Sequence, residues 1–412
     1  MKKCVRGMVL ALGLALILAT QSMPARAAAA QNPNGEHWVA TWITAPLRGL
    51  PKLTLRNQTV RMIVHTSIGG NRFRVELSNA FGRHSLVIGA AHLAIQAKGS
   101  SIVPGSDRTL TFNGSPSVTI PPGAPMLSDP VSLTAPPLAD LSISIYVPGP
   151  VIPSTEHTVA LETTYISRPG NFTSSVGITP TRTNATWYWL SAVDVEAAPD
   201  AAAIVGFGDS ITDGYNSKLG ANGSWPAQLA ARFQTNPATA HLAVVNAGIS
   251  GNRILHDVYG PDALARFDRD VLAHDGVKYV VILEGINDLG FPHEPRKYKV
   301  PHQEVTAQQL IGGLRQMIER AHAHGIRVIG ATLTPYKGSL YYSKEGEAKR
   351  EAINHWIRTS GAFDGVVDFA AAVRDPKHPR RFLSAYDSGD HLHPNDVGYK
   401  AMADAINPAL FR

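Results

Sequence analysis

The hydrophobic pattern of this chain changes at Pro199 and Asp200, and no other feature of the sequence limits the fold as strongly. Before this point, apolar residues recur at every second position in short runs separated by turn residues. Beyond it, apolar runs alternate with loops and amphipathic segments. The first pattern is typical of antiparallel strands and the second of alternating strands and helices. The sequence therefore predicts two domains, at residues 37–198 and 200–412.

The first domain is predicted to be an antiparallel β-sandwich. Its candidate strands lie at residues 60–68, 73–77, 86–97, 117–120, 141–147 and 157–166. No helix of any length is evident between them. Many short strands at this spacing favour a sandwich over βα units.

The second domain is predicted to have an α/β fold. Its candidate strands are apolar runs at residues 202–207, 242–246, 279–283, 328–333 and 366–369. The clearest helix spans residues 306–324, where one apolar stripe recurs at helical spacing and Gly325 supplies the stop. Five such repeats imply a doubly wound, parallel, five-stranded sheet with helices on both faces.

The N-terminus has the pattern of a secretory signal peptide over residues 1–27. Basic residues precede an apolar run at residues 8–19, and small residues follow as far as a predicted cleavage site near Ala27. A membrane anchor is the alternative, but the run is shorter than the ~20 apolar residues that a spanning helix needs. We therefore expect a secreted protein, extracellular or periplasmic, with no stable membrane anchor.

Cleavage of this segment also changes the charge of the chain. The full sequence has 38 Lys and Arg against 32 Asp and Glu residues, a net charge of +6. Four of the basic residues and no acidic ones lie in the signal, so the mature chain has a net charge of +2 and little compositional support for a nucleic-acid partner. The only cysteine, Cys4, also lies there. The mature chain therefore offers no thiol nucleophile, disulfide or cysteine-ligated metal.

A serine follows the first strand of the predicted parallel sheet. Such sheets bind ligands beyond the carboxyl ends of their strands, so the loops at those ends are the places to look for chemistry. The sequence here is Gly-Asp-Ser-Ile-Thr-Asp-Gly, with Ser210 at its centre. A strand-to-helix turn exposes a hydroxyl beside free backbone N–H groups. Taken alone, this segment fits a nucleophile and a helix cap about equally well.

The loops after the next two strands carry glycines and an amide. Residues 246–252 read Asn-Ala-Gly-Ile-Ser-Gly-Asn, with Gly248 third, and residues 284–288 read Glu-Gly-Ile-Asn-Asp, with Asn287 fourth. A glycine turn and an Asx turn are the simpler interpretations of each loop. The side chain of Asn287 could also donate an N–H group into the same cleft.

An acid and a histidine three residues apart lie near the C-terminus, at Asp390 and His393. Within one local turn the acid can orient the imidazole, which leaves the other ring nitrogen free to take a proton from Ser210. Exposed polar residues before the last helix are one alternative. A metal site formed with His391 is the other, but no second cluster supplies the remaining ligands, so we expect neither a metal nor a cofactor.

These fragments are specific only in combination, because together they supply a nucleophile, a base, an orienting acid and oxyanion donors. The combination resembles the SGNH hydrolases, also called the GDSL esterase and lipase family, over roughly the second half of the chain. The family has Leu where this chain has Ile211. The Gly-x-Ser-x-Gly signature of the α/β-hydrolases is absent. The four matching signature positions are Ser210, Gly248, Asn287 and His393.

The resemblance implies a flavodoxin-like sheet and a secreted serine ester hydrolase with a catalytic triad of Ser210, His393 and Asp390. The oxyanion hole would comprise the N–H groups of Ser210 and Gly248 and the side chain of Asn287. Relatives with an N-terminal β-sandwich often act on acylated polysaccharides, which makes such an ester the expected substrate. A lipid or short-chain acyl esterase is one alternative, and a carbohydrate-binding protein with an inactive hydrolase domain is the other.

Two further segments have a weaker connection with carbohydrate. Trp187, Tyr188 and Trp189 could form a wall on which sugars stack, although burial in a strand is the simpler interpretation. Three basic residues in the loop 291–301 could favour acidic sugars, although solvated loop charge is the simpler interpretation. These residues are Arg296, Lys297 and Lys299.

Overall fold

The computed structural model describes residues 1, 35–293 and 303–412, and residues 37–412 form one compact unit. The predicted signal peptide, Cys4 and the basic residues of the loop 291–301 lie outside the described residues. No helix within the described ranges is long and apolar enough to cross a bilayer.

The N-terminal region is antiparallel and contains no helix between residues 37 and 198, as predicted. Its strands are β1 (Trp38–Ile43), β2 (Leu47–Arg48), β3 (Gln58–His65), β4 (Gly70–Ser78), β5 (Leu86–Ile88), β6 (Ala90–Lys98), β7 (Ser101–Ile102), β8 (Arg108–Leu110), β9 (Val118–Ile120), β10 (Pro125–Leu127), β11 (Val131–Ala135), β12 (Asp140–Val147), β13 (Thr155–His157), β14 (Thr164–Pro169), β15 (Pro180–Asn184), β16 (Trp187–Tyr188) and β17 (Leu190–Glu196).

Two larger sheets dominate this region. One has the order β1-β17-β4-β10, with β11 also paired to β4, and the other has the order β15-β14-β3-β12-β6-β7, with β8 paired to β6. Alternating side chains of these strands, such as Val60, Met62 and Val64, are buried in a shared apolar core. This burial is the physical basis of the period-two pattern.

The C-terminal region alternates strands and helices. Its elements are β18 (Ala202–Gly208), α1 (Ser210–Asp213), α2 (Trp225–Gln234), β19 (Leu242–Gly248), α3 (Ala263–Phe267), a π-helical turn (Asp268–Leu272), β20 (Val277–Leu283), α4 (Ile286–Gly290), a 3₁₀ turn (Phe291–His293), α5 (Ala307–Ala323), β21 (Arg327–Ala331), α6 (Lys344–Thr359), β22 (Gly365–Val367), α7 (Phe369–Val373), a 3₁₀ turn (Ser384–Tyr386), α8 (Asp396–Ala405) and a 3₁₀ turn (Pro408–Phe411).

The five C-terminal strands form one parallel sheet in the order β19-β18-β20-β21-β22. Numbered within this region the order is 2-1-3-4-5, the flavodoxin-like arrangement, so the fold-class prediction is confirmed. Every residue of β18 is buried, and β18 lies inside the sheet between β19 and β20. The order reverses beside β18, where such sheets form their ligand crevice.

Hydrogen bonds join the two regions within the compact unit. The Ala40 N–H donates to the Asp275 carbonyl (3.0 Å) and the Val244 N–H to the Ser67 hydroxyl (2.7 Å). The predicted boundary at residues 198–200 marks the change of sheet type and stays a prediction as a division into domains.

One strand prediction is wrong in a way that affects the site. Residues 157–166 are not one strand, because β13 ends at His157 and β14 begins at Thr164. Leu161 in the intervening segment has a φ of 53°, which an extended strand does not allow. The chain leaves the sheet here, and Thr158 and Val159 face the cleft described next.

Candidate active site

Ser210 lies where β18 passes into α1. The preceding residue, Asp209, caps this helix, since its carboxylate accepts the Ile211 N–H at 2.9 Å. Ser210 is therefore the first helical residue rather than the cap, and its N–H has no acceptor within the helix. Its hydroxyl stands beside the imidazole of His393, with Oγ 2.8 Å from Nε2.

His393 is held by Asp390. The carboxylate Oδ2 lies 2.6 Å from His393 Nδ1, and Oδ1 accepts the N–H groups of Leu392 and His393, both at 2.9 Å. Burial alone would raise the pKa of Asp390, but hydrogen bonds and charge from His393 outweigh it and hold that pKa well below its ordinary value. Because Nδ1 donates to the carboxylate, Nε2 can accept the Ser210 proton.

The metal alternative has no matching geometry. His391 pairs through Nδ1 with Asp387 at 2.5 Å rather than with Asp390 or His393. Within the described ranges, no group of three or more Asp, Glu, His or Cys side chains could hold a metal ion.

Asn287 lies in the same cleft, at the start of α4. Its amide nitrogen donates to the Asn252 carbonyl at 2.9 Å, which uses one of the two N–H groups and fixes the plane of the amide. Asn287 lines the same cavity as Ser210 and His393. The second N–H group is therefore available near the Ser210 hydroxyl.

Gly248, which was predicted as an oxyanion donor, is not among the residues that line this cleft. Its N–H donates to the Asn246 side chain at 2.9 Å, and the residue ends β19 in register with Gly208. A Cβ atom here would lie 2.2 Å from the backbone nitrogen of Asp213, so close packing explains this glycine.

Gly251, three residues further along the chain, lines the cavity that contains Ser210. It has a φ of 83°, which few other residues adopt. The two glycines of residues 246–252 were the available signal, and the sequence alone did not say which of them lines the cleft.

Side chains beneath the loop hold Gly251 in place. Asp213 accepts both the N–H (2.9 Å) and the hydroxyl (2.6 Å) of Ser250 on its Oδ2 atom. Its Oδ1 atom lies 3.1 Å from Nε2 of His157, which comes from β13 of the N-terminal region. The N-terminal region therefore reaches the loop that contains Ser250 and Gly251 through one buried pair, which nothing in the sequence pattern indicated.

A buried arginine joins the strand ends below the cleft. Arg266 donates to the carbonyls of Gly208 (2.9 Å) and Ala247 (2.7 Å), and to the Asn252 side chain (2.7 Å). Its charge also faces Glu284 at 3.6 Å. Burial raises the pKa of this Glu284 carboxyl well above its ordinary value. These bonds tie the ends of β18 and β19 to one buried side chain.

The cavity around Ser210 has a volume of about 380 Å³. Asn287, Gly251 and Ser250 lie near the serine, and the N-terminal region contributes Thr158 and Val159. Larger side chains from separate loops complete it, namely Tyr215, Tyr259, Leu340, Tyr341 and Leu392.

Burial, the simpler of the two interpretations, is the correct one for the three aromatic residues at 187–189, and they form no sugar-stacking wall. Trp187, Tyr188 and Trp189 are all buried in the N-terminal core. Trp187 packs edge-on against Trp42 and donates its indole N–H to the Ile63 carbonyl at 2.8 Å. This hydrogen bond satisfies the indole N–H group, and burial prevents the ring from contacting a ligand.

Comparison with a family model agrees with the resemblance of the C-terminal half to the GDSL family. Residues 207–401 match the family model of the GDSL-like lipase/acylhydrolase family. A search of curated proteins finds no significant match.

Solved structures similar to this chain cover about half of it. One from Desulfitobacterium hafniense, assigned to the G-D-S-L lipolytic family, is 26% identical over 50% of this chain and 97% of its own, with a TM-score of 0.38. A GDSL-like lipase from Bacteroides thetaiotaomicron is 22% identical over 50% and 87%, with a TM-score of 0.37. An acetylxylan esterase from Geobacillus stearothermophilus is 22% identical over 51% and 94%, with a TM-score of 0.39.

Proposed function

We propose, from the premise that residues 207–401 form a GDSL-like lipase/acylhydrolase domain, that this carboxylic ester hydrolase is secreted and removes short acyl groups from carbohydrates. The proposal depends above all on one observation. An unbroken chain of hydrogen bonds runs from the Ser210 hydroxyl through His393 to Asp390, with distances of 2.8 and 2.6 Å, inside a cavity open to substrate.

In this mechanism Ser210 is the nucleophile. Its Oγ attacks the ester carbonyl while His393 Nε2 takes the hydroxyl proton, and Asp390 stabilises the resulting imidazolium. Collapse of the tetrahedral intermediate breaks the ester C–O bond, and His393 returns the proton to the leaving alcohol. Water then attacks the acyl-enzyme by the same route and releases the carboxylic acid and Ser210.

The negative oxygen of the intermediate is stabilised by three donors. They are the backbone N–H groups of Ser210 and Gly251 and the free amide N–H of Asn287. Two of the three are fixed before substrate arrives, because Asp213 holds the Gly251 loop and the Asn252 carbonyl holds the Asn287 amide. Donors fixed in advance need no reorganisation during the reaction.

The side chains that line the cavity support a sugar ester as substrate. Tyr215, Tyr259 and Tyr341 place aromatic rings with polar ends around the serine. Such rings can pack against the apolar face of a sugar and hydrogen-bond to its hydroxyls. Hydrolysis of a polymer outside the cell also agrees with the predicted signal peptide.

A lipid ester is the second candidate because of one exposed side chain. Leu340, at the edge of the cavity, is 70% exposed and could contact an acyl chain.

The test compares acetate release from acetylated xylan and acetylated pectin with a series of p-nitrophenyl esters from acetate to palmitate. We expect release from the polysaccharides and a rate that falls with acyl length. The Ser210→Ala protein is the control for nonenzymatic hydrolysis. Fast hydrolysis of palmitate with no acetate from either polymer would favour the lipid ester instead, and any Ser210-dependent hydrolysis excludes an inactive binding protein.

Export is tested separately. We expect the expressed protein in the culture fluid or periplasm, with its N-terminus near residue 28 when sequenced. Recovery of the uncleaved chain with the membrane fraction would contradict this.

A further inference from the structure

A second concave surface lies beside the C-terminal region, with a volume of about 580 Å³. It is formed by α6, the segment after α7 and the loop that follows β21. We call it the cationic groove. Its lining includes one acidic side chain, Glu351, and seven basic ones, namely Lys337, Arg350, Arg358, Arg374, Lys377, Arg380 and Arg381.

Three of these cations are neutralised within the protein. Arg350 pairs with Glu347 at 2.7 Å, Arg358 with Asp368 at 2.9 Å and Arg380 with Glu351 at 3.1 Å.

The other four form no ion pair with any residue that the structure describes. They are Lys337, Arg374, Lys377 and Arg381, and all are exposed. Four unneutralised cations in one groove are a marked concentration of charge for a chain whose predicted mature charge is only +2. A surface of this kind attracts anions and is screened by salt.

The groove and the active-site cleft share a wall. Lys337 lines the groove and donates its backbone N–H to the Arg380 carbonyl at 2.9 Å, while Ser339 and Tyr341 of the same segment line the cleft. Between them, Gly338 has a φ of 114°, and a Cβ atom there would lie 3.3 Å from the Arg381 guanidinium and 3.1 Å from the His391 ring. A ligand could therefore extend from one concavity into the other.

We propose that the cationic groove binds the carboxylates of an acidic polysaccharide while an acyl ester on the same chain occupies the cleft at Ser210. This inference rests on the proposed function and specifies its substrate as a polymer that carries uronate groups. Four separate cations suit successive carboxylates along a chain rather than one compact anion.

Other anionic partners fit the groove less well. Its lining has no aromatic side chain except the imidazole of His378, so it offers no surface on which nucleic-acid bases stack. Its only apolar residues are Ala370 and Pro379, which leaves little to insert into a bilayer.

Binding is tested without hydrolysis, in the Ser210→Ala protein, by affinity electrophoresis in gels that contain polygalacturonate. Adding Arg374→Glu, Lys377→Glu and Arg381→Glu is expected to weaken binding about tenfold or more, the combined scale of three exposed ion pairs. High NaCl should weaken binding of the parent similarly. The matched control has the same charge change on exposed residues of the N-terminal region, Arg56→Glu, Arg83→Glu and Lys98→Glu, and should bind as the parent does.

The second arm measures kcat/KM on acetylated pectin relative to p-nitrophenyl acetate in the otherwise wild-type protein. This ratio is expected to fall about tenfold in the groove variant and to stay constant in the control variant. Equal polygalacturonate binding by the two variants overturns the inference, and so does binding to phosphatidylglycerol vesicles with none to polygalacturonate. If the groove-dependent binding is found but no ester is hydrolysed, the proposed function fails while the groove stands.

Discussion

Two histidine–aspartate pairs lie on either side of the oxyanion loop, and their environments give them different chemistry. His393 faces an acceptor on one side, Asp390, and a hydroxyl on the other, Ser210. His157 faces acceptors on both sides, the Ala45 carbonyl at 2.9 Å and Asp213 at 3.1 Å. A carbonyl and a carboxylate can only accept, so both nitrogens of His157 carry protons.

The partners therefore decide which imidazole can act as a base. Burial alone would lower the pKa of His157, but the adjacent Asp213 carboxylate outweighs it and raises that pKa above its ordinary value. A ring whose two nitrogens both donate hydrogen bonds has no lone pair with which to take a proton from Ser210, and this one is only 2% exposed. His157 holds Asp213, and through it Ser250, whereas His393 has a nitrogen free to exchange a proton.

The largest expected effect is the loss of kcat on removal of His393, and imidazole rescue distinguishes this ring from that of His157. His393→Ala should reduce kcat by about 10⁴ or more, because the base is lost. Added imidazole should restore part of the activity, since the space left opens into the cleft. His157→Ala should gain nothing from imidazole, because this ring contacts Ala45 and Asp213 and does not act as the base for Ser210. Rescue of the His157 variant, or none of the His393 variant, would contradict the comparison.

The next largest effect is expected at a residue that contacts the substrate directly, in contrast to residues that only position such a residue. Asn287→Ala should reduce kcat by roughly 10² to 10³, the usual result of losing one oxyanion donor. Steady-state kinetics on p-nitrophenyl acetate measure it, with circular dichroism as a check on folding. A rise in KM with unchanged kcat would show that Asn287 binds the ground state and the transition state equally, which is not the behaviour of an oxyanion donor.

A smaller kinetic effect is expected from the buried pair. His157→Leu leaves the Asp213 carboxylate buried without its partner, which should cost about 3–5 kcal/mol of unfolding free energy. Displacement of the Ser250–Gly251 loop should lower kcat by about 10- to 100-fold with little change in KM. Urea unfolding and steady-state kinetics measure the two effects.

Two further variants identify the cause of that loss. His157→Gln keeps one N–H group for Asp213 and should recover part of kcat. His92→Leu removes the partly buried partner of Asp107 elsewhere in the N-terminal region and should leave kcat unchanged. If the His92 variant loses as much activity, the effect is general destabilisation.

The smallest effect is the dependence of stability on pH. The folded-state pKa of His157 is raised, so its stabilising contribution is complete below the ordinary histidine pKa and is lost as pH rises through the folded value. The pKa of Asp390 is lowered, so its contribution is present above the ordinary aspartate pKa and is lost in acid. The alkaline loss, measured from urea midpoints, should be weaker in His157→Leu. An unchanged alkaline slope would count against a charged His157.

Some features of this protein follow from residues close together in the sequence. Alternating and helical periodicities predicted the antiparallel region and the five parallel strands, and both are confirmed. Asp390 and His393 are three residues apart, so one local turn was enough to predict their contact. The roles assigned to them and to Ser210 remain predictions until the variants are measured.

Other features could not be predicted from the sequence. Periodicity does not distinguish a buried face from a ligand site, or a strand from an extended loop. Trp187 and Trp189 alternate with Tyr188 as a two-faced strand would, yet both faces are covered. Residues 157–166 keep an alternating pattern although the chain leaves the sheet at Thr158. In both cases the packing of neighbouring elements decided the outcome.

By itself, the sequence determined the two types of sheet and the strand ends at which reactive side chains lie, since both follow from the order of neighbouring residues. Only the tertiary structure decided that Gly251 rather than Gly248 lines the cleft, and that His157 pairs with Asp213. The ion pair with Asp213 spans 56 positions and the Ser210–His393 bond spans 183. Proton positions and donor directions depend on partners at such separations, and local patterns do not record them.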